Sequence, residues 1–170
     1  MSTAANPLQD SSVRRSITVK TTQKRAFEIF TADFDSWWPR SHHIGNSPMK
    51  RAIIEGRVGG RCYSEQADGT DCPWGEVNVW EPPKRFVMAW KINLQWQYES
   101  DPAKSSEVEV RFTPEPGGST RVDLEHRNFE RLGTGWEKMR DGVSAVGGWG
   151  SLLELFAAQA DRAERPDTNA

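Results

Sequence analysis

The chain reads SEVEVRFTPEPGGSTRVDLEHR from Ser106 to Arg127. Apolar and charged residues alternate on both sides of a Pro-Gly-Gly turn, which is the period of a β-strand with one buried face. The stretch therefore predicts two antiparallel strands whose inner face carries Val108, Val110, Phe112, Val122, Leu124 and His126. The charged residues between them are predicted to face solvent. Among these, Glu109 points outward and Arg111 lies close to Asp123 across the two strands.

The same alternation extends upstream over about eighty residues. Strands are predicted at 13–19, 50–56, 60–66, 74–81, 85–92, 106–113 and 120–128, with glycine and proline turns between the later ones. This order is typical of an antiparallel meander. If one turn centres on Asp68-Gly69, Cys72 faces a residue near Glu65 and Cys62 faces one near Gly75. The two thiols are then out of step for a disulfide, so both are predicted to be free.

Helical periodicity occurs before and after the meander. Thr21 or Thr22 can cap a first helix that runs to Phe30, and a short second helical segment is predicted at 33–38. After Gly147-Gly148 an apolar stripe predicts an amphipathic helix to about Ala163, formed by Trp149, Leu152, Leu153, Leu155 and Phe156. The predicted fold class is α+β, a curved antiparallel sheet of about seven strands wrapped around the long C-terminal helix. The predicted domain is 13–164, with flexible tails at 1–12 and 165–170.

Composition excludes several classes of function. The 170 residues include 22 basic and 24 acidic side chains spread along the chain, for a net charge of −2. No basic stripe would track phosphates, which argues against a nucleic-acid partner. No apolar run approaches the ~20 residues that cross a bilayer, and the N-terminus is polar, so we predict a cytoplasmic protein without membrane contact. Neither a phosphate-binding glycine loop nor a metal-ligand spacing is present, so no cofactor and no metal are predicted.

Eight tryptophans are the most informative part of the composition. They lie at strand ends, in turns and at a helix start, and such a cluster suits either a bulky core or a ligand cavity with a solvated mouth. The predicted ligand-binding residues are Trp37, Trp38, His42, His43, Glu55, Trp74, Met88, Trp90, Val110, Leu124, His126, Trp149 and Phe156. The segment from Trp37 to His43 is predicted to be a loop over the cavity mouth.

Two of these polar residues leave alternatives open. His126 points inward by strand phase, either as a hydrogen-bonded core residue or as a polar anchor for a ligand. Glu55 is either a second polar group of the cavity or a solvated residue at a sheet edge. No residue pattern indicates a nucleophile with its base, but an acid or base in the cavity would suffice for some reactions.

Short motifs distributed along the chain resemble those of the START-like helix-grip superfamily. Within it they resemble bacterial proteins similar to the C-terminal domain of the activator of the ninety-kilodalton heat-shock protein ATPase. The similarity covers about residues 14–160, and its motifs are Ala26-Phe27, Trp37-Trp38-Pro39, Val58 to Arg61, Gly75-Glu76-Val77, Glu81 to Arg85, Ser106 to Phe112, Gly118 to His126 and Gly148-Trp149. The resemblance implies a cavity between sheet and helix that suits a largely apolar small molecule.

The superfamily also spans cyclases, lipid carriers and co-chaperones, so fold alone does not choose the activity. We expect binding of a small hydrophobic or aromatic molecule, and consider catalysis less expected. The alternatives are a cyclase-like or hydrolase-like enzyme acting through His126 or Glu55, and a chaperone-interacting stress-response module. The chain has no room for the N-terminal domain with which the eukaryotic co-chaperone contacts its partner, which argues against the last alternative. A homodimer stays open.

Overall fold

The computed structural model describes residues 11–164, and seven strands of this part of the chain form one curved antiparallel sheet. Its strands are β1 (Val13–Val19), β2 (Met49–Ile54), β3 (Arg61–Gln66), β4 (Asp71–Glu81), β5 (Arg85–Trp90), β6 (Ser106–Pro114) and β7 (Thr120–Arg127). Their order across the sheet is β1-β7-β6-β5-β4-β3-β2. The predicted seven-stranded α+β fold is confirmed. Of the predicted tails at 1–12 and 165–170, residues 1–10 and 165–170 lie outside the described residues, whereas Ser11 is buried.

Three α-helices accompany the sheet: α1 (Gln23–Phe30), α2 (Glu137–Ser144) and α3 (Trp149–Glu164). Thr22 is the residue that caps α1, because its hydroxyl oxygen accepts from the Arg25 amide at 3.2 Å. The second predicted helical segment is only a 3₁₀ turn at Phe34–Ser36. Helix α2 was not predicted from the sequence. No helix within residues 11–164 is both long and apolar enough to cross a membrane.

Helix α3 lies on the concave side of the sheet and packs against β1 and α1. Its buried side chains are Trp149, Leu152, Leu153, Phe156 and Ala160. Each residue of an α-helix is turned by about 100° from the one before it, so these buried positions lie within roughly 100° of one another around the axis of α3. Leu155 falls outside this buried side. Leu155 is 44% exposed. Its assignment to the apolar stripe is therefore wrong, while the rest of the stripe is confirmed.

The inner and outer faces of β6 and β7 follow the predicted alternation with one exception. The six predicted inward residues are all buried. Glu109 is on the outer face as predicted but is only 5% exposed, because Arg85, Arg111 and Arg127 form ion pairs with it. Burial alone would raise the pKa of Glu109, but hydrogen bonds and charge from the arginines hold it below its usual value.

Strand register tests two predictions made from the sequence, the proximity of Arg111 to Asp123 and the separation of the two cysteines. Arg111 and Asp123 are paired across β6 and β7 as expected, but Arg111 forms its ion pair with Glu109, and Asp123 binds Arg121 instead. The expected proximity of Arg111 and Asp123 is confirmed, but the two side chains form no ion pair with each other. In β3 and β4, Cys62 pairs with Gly75 and Cys72 with Ser64. Both cysteines are free thiols, as predicted.

Candidate functional site

A cavity of about 420 Å³ opens between one end of the sheet and the start of α3. Its size falls within the range of small-molecule sites. Five of the eight tryptophans belong to its wall. The wall consists of Trp38, Ser41, His42, His43, Ile44, Trp74, Trp90, Ile92, Trp96, Gly142, Val143, Val146, Gly147, Gly148, Trp149 and Leu152.

Strand pairing brings the central indoles together. Trp90 ends β5 and pairs with Gly75, the neighbour of Trp74, so the two indole rings meet edge to face at 5.8 Å. Trp38 stacks parallel to Trp74 at 6.1 Å. Trp149 contacts Trp90 from the opposite side at 5.6 Å. Sheet, loop and helix thus each supply an aromatic wall.

Gly148 allows the start of α3 to lie close to the end of α2. A Cβ atom at this position would lie 2.1 Å from the carbonyl oxygen of Val143, so only glycine permits the approach. The Ser151 hydroxyl in the first turn of α3 accepts from the Gly147 amide at 3.1 Å, which fixes the turn. Trp149 follows directly and is held at the cavity wall.

His126 lies behind this wall and is fully buried. Its Nδ1 accepts from the Trp149 indole N–H at 3.0 Å, so the neutral ring carries its proton on Nε2. Nε2 in turn donates to the Ser106 hydroxyl oxygen at 2.8 Å. Burial lowers the pKa of His126 to about 3, which keeps the ring neutral. Of the two alternatives raised by the sequence, the structure shows the hydrogen-bonded core residue.

Ser106 and His126 have the spacing of a nucleophile and its base but the opposite proton arrangement. A base must present a lone pair to the hydroxyl, and in serine hydrolases a third group accepts from the far nitrogen to enforce this. Here the third group is an indole that can only donate, so the nitrogen facing Ser106 carries the hydrogen. The arrangement does not activate Ser106.

The rim loop contains the other two histidines, and they differ in their contacts. His42 donates from Nε2 to the Gly147 carbonyl at 2.9 Å, and its Nδ1 lies 3.0 Å from the Ser41 hydroxyl. The Trp38 indole donates to the His42 carbonyl at 2.8 Å. Within the described part of the chain His43 has no such partners, and its Nδ1 is shielded from solvent without a hydrogen bond. The Trp90 indole nitrogen is also buried and unpaired.

Six of the predicted site residues line the cavity: Trp38, His42, His43, Trp74, Trp90 and Trp149. The structure places others in the closed core, namely Trp37, Met88, Val110, Leu124, His126 and Phe156. Glu55 also lies outside the wall. Its carboxylate accepts from the Arg61 amide at 2.8 Å, which lowers its pKa, and it pairs with Arg57. Glu55 is therefore an ion-paired residue beyond the end of β2.

Sequence reasoning missed the part of the wall that surrounds α2. Val143, Val146 and Gly147 close one side of the cavity. A weak signal for α2 exists in Met139 and Val143, which are spaced four residues apart and are its buried residues. Trp96 was also missed. It lies in the loop after β5, has a positive φ of 58° and is 49% exposed at the cavity wall.

Within residues 11–164, no cluster of three or more His, Cys, Asp or Glu side chains could hold a metal ion.

A family model described as activator of Hsp90 ATPase homolog 1-like protein matches residues 20–160. The chain belongs to this family. The match confirms the resemblance read from the motifs, and the fold is the helix-grip fold of that superfamily. No curated protein matches the sequence of this AHSA1-like chain.

Solved structures with the same fold include two of informative sequence identity. Txn09, an anthrahydroquino-gamma-pyrone synthase in complex with a compound abbreviated SUM, is 36% identical over 86% of this chain and 95% of its own, with a TM-score of 0.61. CalC from Micromonospora echinospora, a self-sacrificing resistance protein, is 29% identical over 89% of the AHSA1-like chain and 95% of its own, with a TM-score of 0.65. MLL2253 from Mesorhizobium loti is 19% identical over 91% and 99% of the two chains, has a TM-score of 0.63 and shows the fold alone.

Proposed function

We propose that the protein binds a flat, polycyclic aromatic molecule in the cavity lined by its tryptophans. The observation that carries the proposal is a 420 Å³ space with five indoles in its wall. Flat apolar faces of this kind favour a ring system through apolar burial and offset or edge-to-face ring contacts. The similarity to Txn09, whose name is anthrahydroquino-gamma-pyrone synthase, supports the aromatic character of the ligand.

The wall is held in place before a ligand arrives. The indole N–H of Trp38 is bonded to the His42 carbonyl, and that of Trp149 to His126. Both rings are buried and make contacts with further aromatic rings. A preformed wall loses little side-chain entropy on binding, so more of the apolar burial contributes to affinity.

A second candidate function is acid–base catalysis on the bound molecule, as in a cyclase. The favouring observation is His43, an imidazole in the wall of the cavity. Such a group can accept or return a proton during ring closure. The 36% identity to a synthase supports this candidate, while the proton arrangement at Ser106 and His126 argues against a covalent hydrolase mechanism.

Two substitutions on α3 test whether the cavity is the binding site. Leu152→Trp adds bulk to a wall residue, and Leu155→Trp makes the same change on the exposed side of the helix. Equilibrium dialysis with fluorene as the probe should give saturable binding to the wild-type protein. We expect Leu152→Trp to weaken it by at least about tenfold and Leu155→Trp to leave it unchanged.

Circular dichroism establishes that both variants are folded, and Ile92→Phe, a smaller addition to the same wall, replaces Leu152→Trp if that variant unfolds. The proposal is wrong if fluorene and larger ring systems do not bind saturably. It is also wrong if the folded wall variants bind as well as Leu155→Trp does.

A further inference from the structure

We infer that Trp96 covers the molecule bound in the cavity and slows its release. This inference rests on the proposed function and concerns how the occupied site exchanges its ligand. It follows from a comparison of the five indoles of the wall, of which four are buried and one is half exposed.

Exposed residues of the wall mark where the cavity opens to solvent. Within residues 11–164 they are Ser41, Trp96, Gly142 and Val146. Trp96 has the largest side chain of the four, and its ring reaches α2, because a Cβ atom at Gly142 would lie 3.6 Å from its Cζ2 atom. The indole therefore crosses part of the mouth, from the loop after β5 to α2.

The Trp96 side chain is not fixed as the other four indoles are. Trp38 and Trp149 donate their indole N–H groups to protein acceptors, and Trp74 and Trp90 lie in ring contacts with them. Among the described residues, Trp96 has no side-chain hydrogen-bond partner and no ring contact, and it is 49% exposed. Exposed side chains change rotamer within nanoseconds, so this ring can swing aside to let a ligand pass.

The backbone that carries this ring is well defined. The Asn93 side-chain oxygen accepts from the amides of Gln95 and Gln97 at 2.9 and 3.0 Å. The Asn93 carbonyl accepts from the Trp96 amide at 2.9 Å. This turn places Trp96 at a φ of 58°, a conformation that glycine adopts more easily. Because the backbone gains nothing from a tryptophan here, what the position supplies is the indole.

A bound aromatic molecule would supply the contact that Trp96 lacks. The four buried indoles would hold its inner part, while its outer edge faces the mouth. When the Trp96 ring closes over this edge, both apolar surfaces leave water, and the molecule can depart only after the ring swings away. This contact exists only after binding, so it slows release more than it affects entry.

Release is measured with anthracene, a flat aromatic probe that is excited at wavelengths that tryptophan does not absorb. The complex is mixed with excess β-cyclodextrin, which captures freed anthracene, and the fall in anthracene fluorescence anisotropy gives the dissociation rate. We expect Trp96→Gly, which suits the positive φ, to release anthracene about tenfold faster than wild type and to bind it no more slowly. Trp96→Phe keeps a ring at the mouth and should release anthracene more slowly than Trp96→Gly.

Gln97→Gly is the matched control, because it loosens the same turn at an exposed residue that is not part of the wall. It should release anthracene at the wild-type rate. If Trp96→Gly does not fold, Trp96→Asn, which also tolerates a positive φ, replaces it.

Three outcomes overturn the inference and leave the proposed function in place. Anthracene binds, but the variant without the ring releases it at the wild-type rate, or Gln97→Gly releases it as fast as Trp96→Gly, or Trp96→Phe does so. If neither anthracene nor fluorene binds the wild-type protein, the proposed function and the inference both fail.

Discussion

The interior between the sheet and α3 has a filled end and a hollow end. The filled end consists of Phe27, Phe30, Phe86, Phe112 and Phe156, whose rings meet their neighbours at centroid distances of 5.0 to 6.0 Å. The hollow end consists of Trp38, Trp74, Trp90 and Trp149. Phe86 and Trp90 lie about 13 Å apart along β5, and Trp149 and Phe156 about 10 Å apart along α3. The same strand and helix therefore border both ends.

The rings of the two ends differ in whether they carry a polar atom. Phenylalanine has no polar atom, so these rings pack edge to face until no space is left. A buried indole needs a partner for its N–H, and at the hollow end Trp38 and Trp149 obtain theirs from His42 and His126. These bonds fix the orientation of the two rings at the cavity wall. Among residues 11–164, no phenylalanine lines the cavity.

The strongest effect is expected at the filled end. Phe156→Ala removes a fully buried ring that contacts Phe30 and Trp37, and the close-packed surroundings cannot collapse to fill the space. We expect the free energy of unfolding to fall by about 3–5 kcal/mol in urea denaturation. The neighbouring exposed Leu155→Ala should cost much less. A cost below about 1 kcal/mol for Phe156→Ala would show that this end is not filled.

The next largest effect is a pH dependence of the unfolding free energy, which we expect for His126 behind the hollow end but not for the phenylalanines of the filled end. The pKa of His126 is lowered to about 3 in the folded protein, against about 6.5 when unfolded, so between these values the unfolded state binds the extra proton. Stability should therefore fall as pH decreases from 6.5. We expect this residue alone to contribute a loss of about 2–3 kcal/mol by pH 4.5, and none above pH 6.5.

The measurement is the difference in unfolding free energy between wild type and His126→Gln at several pH values. This difference should shrink as the pH falls, because glutamine does not titrate. The matching difference for Phe156→Ala should stay constant over the same range. A pH-independent difference for His126→Gln would mean that the histidine is not held neutral behind the hollow end.

The smallest effect is the difference in unfolding free energy between alanine variants of two adjacent leucines on α3. Leu152 borders the cavity, whereas Leu153 is buried away from it. Truncating Leu153 to alanine opens a new void, but truncating Leu152 only enlarges an existing space. We expect about 3–5 kcal/mol for Leu153→Ala and about 2–3 kcal/mol for Leu152→Ala. If urea denaturation gives an equal or larger loss of unfolding free energy for Leu152→Ala than for Leu153→Ala, Leu152 does not border a cavity. If Leu152→Ala costs less than about 0.5 kcal/mol, α3 is not packed against the sheet.

Much of the fold could be predicted from the sequence, because the periodicity of β6, β7 and α3 is a local property. Alternation assigned Val110 and Leu124 to the concave face, and both are buried there. It could not tell that they lie in the closed core, since strand phase gives the face of a residue but not its place along the sheet. Helix α2 was missed because only Met139 and Val143 mark its buried side.

The sequence by itself determined the strands, the gripped helix, the free thiols and the presence of an indole-rich interior, since each depends on residue type and short-range spacing. Only the tertiary structure decided which part of that interior is a cavity. The deciding contacts join distant residues: His42 binds the Gly147 carbonyl, and Trp149 binds His126. Such pairs leave no periodic trace in the chain, because the hydrogen-bond partner of a buried polar atom depends on where the folded backbone brings another polar atom within reach.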